Sequence, residues 1–456
     1  TKGPRKQQRH RENHGRETQS KRYTLPKIHK QGNPGRPVVS SSGCHTEKIS
    51  AYVDNTIKPI ATKLPSFIKG TNNFIECIND QKEVPKGSYL VTMDVSSLYS
   101  NIDNKEGLKV LKDEMNKHYN RLHVPTTKAI VTLMELILTL NNFEFDDKFF
   151  TQIKGTAMGT RAAPNYANVY MGNFENKYIY QSPAMKSIAF YKRFIDDIFF
   201  IWTGGEQRLK ELLDHLNKVH DSIKFTSEYS TKAINFLDTT VIINKNGSLK
   251  TDLYYKDVDT HSFLDKTSCH PTHTKNSIPY SQFTRIKRIC SDKETFERRA
   301  KEHKTFFKAS GYTEKQLEKA IKKVNEASTD TRREKDQIIT PLVTEFNPRT
   351  IDFNSVINKH WNITQTTEKG RKYLKAQPSV LYRRPRNQKD ELVRSKFKKV
   401  EGLTAKECNP CNRKRCENCN IVKNTQTFHS CTTGKSYKIL HGGKLSIRMG
   451  HLPYGL

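Results

Sequence analysis

The sequence predicts an α+β fold in which helices alternate with the strands of an antiparallel sheet. Strand-like apolar runs cover residues 88–93 and 190–202, and Asp196-Asp197 interrupts the second run. Residues 126–140 repeat apolar side chains three and four positions apart, which is typical of one helix face. Asn246-Gly247 lies between two apolar segments and indicates a two-residue hairpin turn. Strands joined by tight turns and separated by helices define the mixed fold class.

The individual elements follow from these patterns in chain order. A turn-rich stretch at 31–35 precedes the first strand, and Thr313 with Gln316 forms a capping box before the last helix. The predicted strands are 36–40, 88–93, 143–145, 149–151, 190–194, 198–202, 236–243 and 249–255, and the predicted helices are 48–60, 126–140, 165–180, 206–219, 285–289, 293–307 and 313–327.

Length and local composition predict several domains. The 456 residues correspond to about three domains at roughly 150 residues each. Residues 371–399 contain 11 lysines and arginines against two acids, which indicates a basic linker. The predicted domains are a basic disordered arm (1–22), a mixed α/β domain (23–255), a helical domain (256–335), a basic linker (336–405), a Cys-rich segment (406–435) and a tail (436–456).

The charge of the chain predicts a polyanionic partner. There are 79 lysines and arginines against 47 aspartates and glutamates, so the formal net charge is +32. The positive charges of such a chain repel one another when it is isolated. Nucleic acid is the simplest polyanionic partner that would neutralise them. The longest apolar run, 129–140, is too short to cross a bilayer and contains Glu135. With no apolar segment near residue 1 either, we expect neither a membrane protein nor a secreted one.

Three carboxylates next to apolar strands are candidates for catalysis. Asp196 and Asp197 are expected at the tip of a tight hairpin, and Asp94 ends the strand 88–93. Adjacent like charges oppose each other's ionisation, and a divalent cation offsets that cost because Mg²⁺ prefers one or two carboxylates together with phosphate oxygens. If the strands are neighbours, the three acids could hold two metal ions about 4 Å apart, as in polymerases. The alternative is an ordinary polar turn, since aspartate is common there.

Six motifs follow one another in an order known from one enzyme family. They are Leu25-Pro26-Lys27-Ile28-His29-Lys30, Arg36-Pro37-Val38-Val39, Asp94-Val95-Ser96-Ser97-Leu98-Tyr99, Gly155-Thr156-Ala157-Met158-Gly159-Thr160, Phe194-Ile195-Asp196-Asp197 and Asn235-Phe236-Leu237-Asp238. Together they resemble the reverse transcriptase of Penelope-like retroelements, relatives of the telomerase catalytic subunit. The run 268–282 is similar to the thumb side of that family. The resemblance covers about residues 22–435. It implies a right-hand polymerase with fingers and palm over 23–255, an antiparallel palm sheet and a helical thumb-like domain over 256–335.

The same resemblance implies roles for single residues. The catalytic and Mg²⁺- or Mn²⁺-binding residues would be Asp94, Asp196 and Asp197, the nucleotide-binding residues Lys27, Arg36, Tyr99, Gly155, Met158 and Gly159, and the primer grip Phe236, Leu237 and Asp238. Tyr99 would be a steric gate against the ribose 2′-OH. The guanidinium of Arg36 suits a triphosphate, and the two glycines would let backbone approach the substrates closely. The implied activity is RNA-templated addition of deoxynucleotides to a DNA 3′ end, with an RNA template, a DNA primer and deoxynucleotides as partners.

A cluster of cysteines near the end of the sequence predicts a zinc site. Of nine cysteines, five lie between residues 408 and 431. Paired CxxC motifs supply thiolates for a tetrahedral Zn²⁺ ion. The candidate ligands are Cys408, Cys411, Cys416, Cys419 and Cys431, of which four would bind the ion. Two ligand sets are equally defensible, the first four cysteines or the last four, and the alternative is a group of unliganded surface thiols.

Two other functions remain open at this point. The first is a catalytically dead protein that only binds nucleic acid, left by the decay of a retroelement. The second is an RNA-dependent RNA polymerase, which would share the metal triad but would not need Tyr99. Members of the resembled family continue into a GIY-YIG endonuclease, which cannot be placed after residue 439. We therefore expect a fragment or a frame-disrupted copy without endonuclease activity. Basic clusters such as 383–386 and a DNA target favour nuclear residence after cytoplasmic synthesis.

Overall fold

The computed structural model describes residues 20–28, 32–81, 83–119, 125–145, 148–326, 341–348, 352–374, 376–385, 427–429 and 436–438. It divides into two compact units, residues 1–385 and 386–456. The described part of the second unit is an antiparallel pair of short strands, 427–429 with 436–438. The predicted zinc ligands Cys408, Cys411, Cys416, Cys419 and Cys431 lie outside the described residues.

The described strands confirm an α+β fold in which most strand pairs are antiparallel. They are β1 (Ser20–Pro26), β2 (Gly35–Ser40), β3 (Tyr89–Val95), β4 (Asn142–Phe145), β5 (Lys148–Thr151), β6 (Ile188–Phe194), β7 (Asp197–Trp202), β8 (Phe225–Ser230), β9 (Ala233–Phe236), β10 (Thr239–Ile243), β11 (Leu249–Leu253), β12 (Pro341–Glu345), β13 (Ser379–Arg383), β14 (Thr427–His429) and β15 (Ser436–Lys438).

The described part of the chain also contains α-helices. They are α1 (Glu47–Thr62), α2 (Thr71–Asn79), α3 (Leu98–Asn101), α4 (Asn104–His118), α5 (Thr127–Thr139), α6 (Ala163–Glu175), α7 (Glu206–Lys218), α8 (Thr272–Ile289), α9 (Lys293–Ala309), α10 (Glu314–Glu326), α11 (Phe353–Gln365) and α12 (Glu368–Tyr373). Among the described helices, none has the length and apolar composition needed to span a bilayer.

The central sheet has the strand order β6-β7-β3-β8, and all its pairings are antiparallel. Alternate side chains of β7 enter two different hydrophobic cores. Ile198 and Phe200 pack with α1, α4, α5 and α6 on one face, whereas Phe199 and Ile201 pack with α2, β9 and β10 on the other. Because both faces are covered, the strand is apolar at nearly every position, which explains the continuous run in the sequence.

Two smaller sheets flank the central one. The sheet β2-β1-β4-β5 joins residues near the beginning of the chain to the hairpin at 142–151, and β11-β10-β9 forms a meander after β8. The prediction of one strand over 236–243 is wrong, because the chain turns at Leu237, whose φ is +54°. Residues on either side of this turn belong to separate strands, β9 and β10, which pair with each other.

The region predicted as a helical domain over 256–335 contains three helices in its described part. Helices α8, α9 and α10 enclose a core that includes Phe283, Phe307 and Leu317 and also contains Leu253 of β11. Asp292 caps α9 by accepting a hydrogen bond from the backbone N–H of Thr295 at 2.8 Å.

Two domain boundaries differ from the prediction. Strand β1 begins at Ser20, so the last three residues of the predicted disordered arm (1–22) are part of a sheet. The predicted linker (336–405) is wrong for residues 341–385, where β12 and β13 pair in parallel and α11 and α12 lie between them in sequence. Local composition cannot predict pairing between two strands that are far apart in sequence. The basic side chains at 371–384 therefore favour a linker.

Candidate active site

The three predicted catalytic carboxylates lie at one end of the central sheet. Asp196 is in the turn between β6 and β7, and Asp197 begins β7 directly opposite Asp94 of β3. The backbone N–H of Val95 donates to the carbonyl oxygen of Asp196 at 3.0 Å. This pairing holds the turn against β3, so the neighbouring strands that the sequence analysis required are present.

A buried arginine holds the turn between β6 and β7 in shape. Ile195 has φ +58°, which is unfavourable for a β-branched residue. Its carbonyl oxygen accepts a hydrogen bond from Nη1 of Arg193 at 3.0 Å. The Arg193 side chain is fully buried and pairs with Glu175 of α6, with Nε 2.7 Å from Oε1. Nη1 also donates to Oδ1 of Asn168 at 2.7 Å, which fixes the guanidinium from a second side.

Sequence reasoning missed Arg193 and Glu175. The sequence signal that could have identified Arg193 is an arginine within an apolar strand. Side chains alternate between the two faces of a strand, so this arginine shares a face with buried residues. Its partner is 18 residues away on a helix, so spacing alone does not identify the pair.

The electrostatics of the turn favour a cation between carboxylates. Burial raises the pKa of Asp196, and the charge of Asp94 raises it further. Arg36 and Lys27 act in the opposite direction and lower the pKa of Asp196. Asp94 and Asp196 are therefore close enough to repel each other, and both predicted basic nucleotide ligands are close enough to act on the same carboxylate.

Among the described residues, no group of three histidine, cysteine, aspartate or glutamate side chains is arranged closely enough to hold a metal ion. The donor set nevertheless fits Mg²⁺ in part, because this ion uses one or two carboxylates and takes its other ligands from water and phosphate oxygens. The like-charged pair Asp94 and Asp196 supplies those carboxylates.

Tyr99 lies close enough to Asp196 to be affected by its charge. Burial and the charge of Asp196 raise the pKa of the Tyr99 hydroxyl to about 12, so it stays protonated at neutral pH. The backbone carbonyl of Tyr99 accepts a hydrogen bond from the N–H of Thr156 at 2.8 Å. That contact attaches the loop 155–159 to the segment that follows β3.

Both predicted loop glycines are required by their backbone contacts. Gly155 has φ +72°, and a Cβ there would overlap the carbonyl oxygen of Tyr99. Gly159 has φ +125°, and a Cβ there would overlap the carbonyl oxygen of Val39 in β2. Between them, the carbonyl oxygen of Met158 accepts from the N–H of Val39 at 2.8 Å. The loop is thereby clamped between Tyr99 and β2, the strand that contains Arg36.

The predicted primer grip is a turn held by the helical domain. Phe236 is buried in the core of the central sheet, whereas Leu237 lines a cavity of about 240 Å³ together with Asp94 and Asp197. The carboxylate of Asp238 accepts from Nε of Arg285 in α8 at 3.0 Å and from the hydroxyl of Thr71. The Asp238 side chain therefore positions the turn, and sequence reasoning missed its partner Arg285.

Two protein families match separate parts of the chain. Residues 28–229 match the family described as reverse transcriptase (RNA-dependent DNA polymerase). Residues 262–322, which contain α8, α9 and most of α10, match the animal helix-turn-helix domain. No curated protein sequence matches the chain.

Several solved structures have low similarity to this one. Telomerase from Candida albicans in complex with a TWJ fragment of telomeric RNA is 9% identical, with a TM-score of 0.47 over 67% of this chain and 59% of that one. Apo telomerase from Candida tropicalis, truncated from its C-terminal domain, is 12% identical, with a TM-score of 0.41 over 51% and 55%. The BmCPV RNA-dependent RNA polymerase at elongation state is 11% identical, with a TM-score of 0.37 over 60% and 25%. The chain thus spans a little over half the length of the telomerases it matches.

The two family matches agree with the site geometry. The segment 28–229, which matches the reverse transcriptase family, contains the three carboxylates and both loop glycines. The segment that matches the animal helix-turn-helix domain follows it in the chain. That combination is consistent with a Penelope-like reverse transcriptase, the family indicated by the sequence motifs.

Proposed function

We propose that this chain is an RNA-directed DNA polymerase that adds deoxynucleotides to a DNA 3′ end on an RNA template. The observation that supports this most strongly is the pairing of Asp94 with Asp197, next to an Asp196 whose pKa is raised by burial and by Asp94. The family match over 28–229 supports RNA as the template and deoxynucleotides as substrates. The net charge of +32 supports a nucleic-acid partner.

The proposed mechanism uses two Mg²⁺ or Mn²⁺ ions held by Asp94, Asp196 and Asp197. Such ions, when bound, lower the pKa of an attacking hydroxyl and stabilise the charge on a leaving pyrophosphate. Asp94 and Asp196 would be the principal ligands, because their mutual repulsion is relieved by a cation. Lys27 and Arg36 would bind the triphosphate, since their charges already act on Asp196.

Tyr99 is proposed to select deoxynucleotides. Its half-buried ring and the effect of the Asp196 charge on its hydroxyl support a position close to the sugar of a nucleotide bound at the carboxylates. An aromatic ring at that position would leave no room for a 2′-OH. We expect Tyr99→Ala to raise incorporation of ribonucleotides relative to deoxynucleotides, and a ratio equal to that of the parent would refute the gate and favour an RNA polymerase.

The element, the zinc and the cellular location are further parts of the proposal. The motif set and the domain pair support a Penelope-like retrotransposon. Cys408, Cys411, Cys416, Cys419 and Cys431 would contribute four Zn²⁺ ligands because paired CxxC motifs suit a tetrahedral site. A DNA target and the basic cluster at 383–386 support activity in the nucleus.

Primer extension on a poly(rA)/oligo(dT) duplex with Mg²⁺ or Mn²⁺ tests the proposal. The Asp196→Asn variant should abolish extension because it removes a metal ligand without changing side-chain size. Asp214→Asn, an equivalent change at an exposed position of α7, is the matched control and should extend like the parent. If the parent binds the duplex in a salt-dependent manner but does not extend it, the alternative of a binding remnant replaces this proposal.

A further inference from the structure

A side chain of α4 holds the loop 155–159 from a third side, in addition to Tyr99 and β2. Oδ1 of Asn104, the first residue of α4, accepts a hydrogen bond from the backbone N–H of Gly155 at 2.9 Å. Nδ2 of the same carboxamide is 3.5 Å from the carbonyl oxygen of Ile153, which is a weaker contact. Asn104 lies outside the six sequence motifs, so the contact links two distant parts of the chain.

The start of α4 is fixed independently of the loop. Asp103 caps the helix by accepting from the backbone N–H groups of Lys105 and Glu106 at 3.0 and 2.9 Å. The carboxylate of Glu106 accepts from the hydroxyl of Tyr170 in α6 at 2.8 Å, which joins the first turn of α4 to a second helix. Asn104 therefore holds the loop from a helix that is itself anchored.

The contact matters because this end of the loop packs tightly on the segment that contains Tyr99. Gly155 is buried, and a Cβ there would lie 2.6 Å from Cα of Ser100 as well as overlapping the carbonyl oxygen of Tyr99. The N–H of the next residue, Thr156, donates to that same carbonyl oxygen. A buried N–H without a partner is unfavourable. Without Asn104, the loop would therefore favour positions in which the Gly155 N–H reaches water, and Tyr99 would lose part of its packing.

Solvent exposure separates this contact from the one at the other end of the loop. The carbonyl oxygen of Gly159 accepts from Oγ of Ser41 at 2.7 Å, but that hydrogen bond is exposed. Water can replace an exposed partner at little cost, whereas a buried group keeps its desolvation penalty. Of these two side chains, Asn104 is therefore the one that contributes more to holding the loop.

We propose that Asn104 is a positioning residue for the incoming deoxynucleotide, acting through the loop 155–159 and Tyr99 without touching the substrate. The inference rests on the polymerase function proposed above, because it takes the nucleotide-side roles of Gly155 and Tyr99 from that proposal. The turn between β6 and β7 is held by Arg193 instead. Loss of the Asn104 carboxamide should therefore weaken nucleotide binding and sugar selection while the carboxylates keep their places.

The test compares Asn104→Ala with Asn104→Asp in the full chain. Alanine removes the acceptor but is the best helix former, so α4 should persist. Aspartate keeps an oxygen for the Gly155 N–H and suits the first turn of a helix. The affinity of the next deoxynucleotide is measured on a complex with an RNA template and a dideoxy-terminated DNA primer, so no addition can occur. Asn104→Ala should weaken this affinity at least about fivefold, as expected for one unsatisfied buried N–H. Asn104→Asp should regain most of that loss.

Steady-state primer extension distinguishes positioning from a general loss of folded protein. Fewer folded molecules would lower kcat and leave KM unchanged. A displaced loop should instead raise KM for deoxynucleotides, and it should raise incorporation of ribonucleotides relative to deoxynucleotides. Asn116→Ala, the same substitution at an exposed position of α4, is the matched control and should equal the parent in both measurements.

Unchanged nucleotide affinity and KM in Asn104→Ala would overturn the inference, as would equal losses in Asn104→Ala and Asn104→Asp. Either result would leave the polymerase proposal standing, provided that the parent extends primers. A parent that neither binds the nucleotide nor extends a primer would overturn the polymerase proposal, and this inference with it.

Discussion

Replacing Arg193 by methionine should destabilise the protein strongly while filling nearly the same space. Methionine lacks the guanidinium, so Glu175 stays fully buried and keeps, among the described residues, the hydroxyls of Ser66 and Tyr191 as its hydrogen-bond partners. Removing one member of a buried ion pair costs about 3–5 kcal/mol, because the other charge is left uncompensated. Typical domains have about 5–15 kcal/mol of total stability, so the midpoint of urea unfolding should fall clearly.

The double variant Arg193→Met, Glu175→Gln separates stability from positioning. Neutralising Glu175 removes the uncompensated charge, so the double variant should regain at least half of the stability that the single variant loses. It should not regain primer extension, because the carbonyl of Ile195 still lacks its donor from Arg193. The reasoning is refuted if the single variant loses less than about 1 kcal/mol. A double variant that extends primers like the parent would show that Arg193 acts on stability alone.

Three further predictions concern the carboxylates, the glycine loop and the zinc ligands. Burial and Asp94 raise the pKa of Asp196, so the native state binds more protons than the unfolded chain and the stability contributed by this group falls as pH rises. Without metal, Asp196→Asn should therefore be more stable than the parent at pH 7, and this gain in stability should vanish near pH 4. A gain that does not depend on pH would contradict the prediction. Gly159→Ala should lower both thermal stability and primer extension. Gly87 also has a positive φ, but no atom lies within 4 Å of an added Cβ, so Gly87→Ala should cost only the backbone strain. Equal losses in the two variants would refute the idea that the loop 155–159 is held by its contact with β2. Elemental analysis of the full chain should find about one Zn²⁺ per molecule, and its absence would remove the zinc site.

The carboxylate site was predictable because it depends on strand pattern. An apolar run buried on both faces, broken by Asp196-Asp197, indicates a hairpin tip, and Asp94 has the same position at the end of another such run. Register then follows from antiparallel pairing, which puts Asp94 opposite Asp197. Local pattern and tertiary structure agree at this site.

Other features could not be predicted because their causes are distant in sequence. The break after Phe236 depends on a positive φ at Leu237, a residue type that rarely marks such a turn. Asp238 resembles a primer contact in sequence, yet its carboxylate is engaged by Thr71 and Arg285, residues of two other elements. The strands β12 and β13 pair across more than thirty residues, so neither shows a hairpin signal.

The ion pair between Asp238 and Arg285 has a consequence for communication between the two matched domains. It attaches the turn beside Asp94 and Asp197 to a helix of the helix-turn-helix segment. Any displacement of α8 would therefore pull on the turn that lines the cavity beside Asp94 and Asp197. The hydrogen bond between Thr251 and the carbonyl oxygen of Ile289 joins the same helix to β11, so the helical segment and the carboxylates are coupled at more than one point.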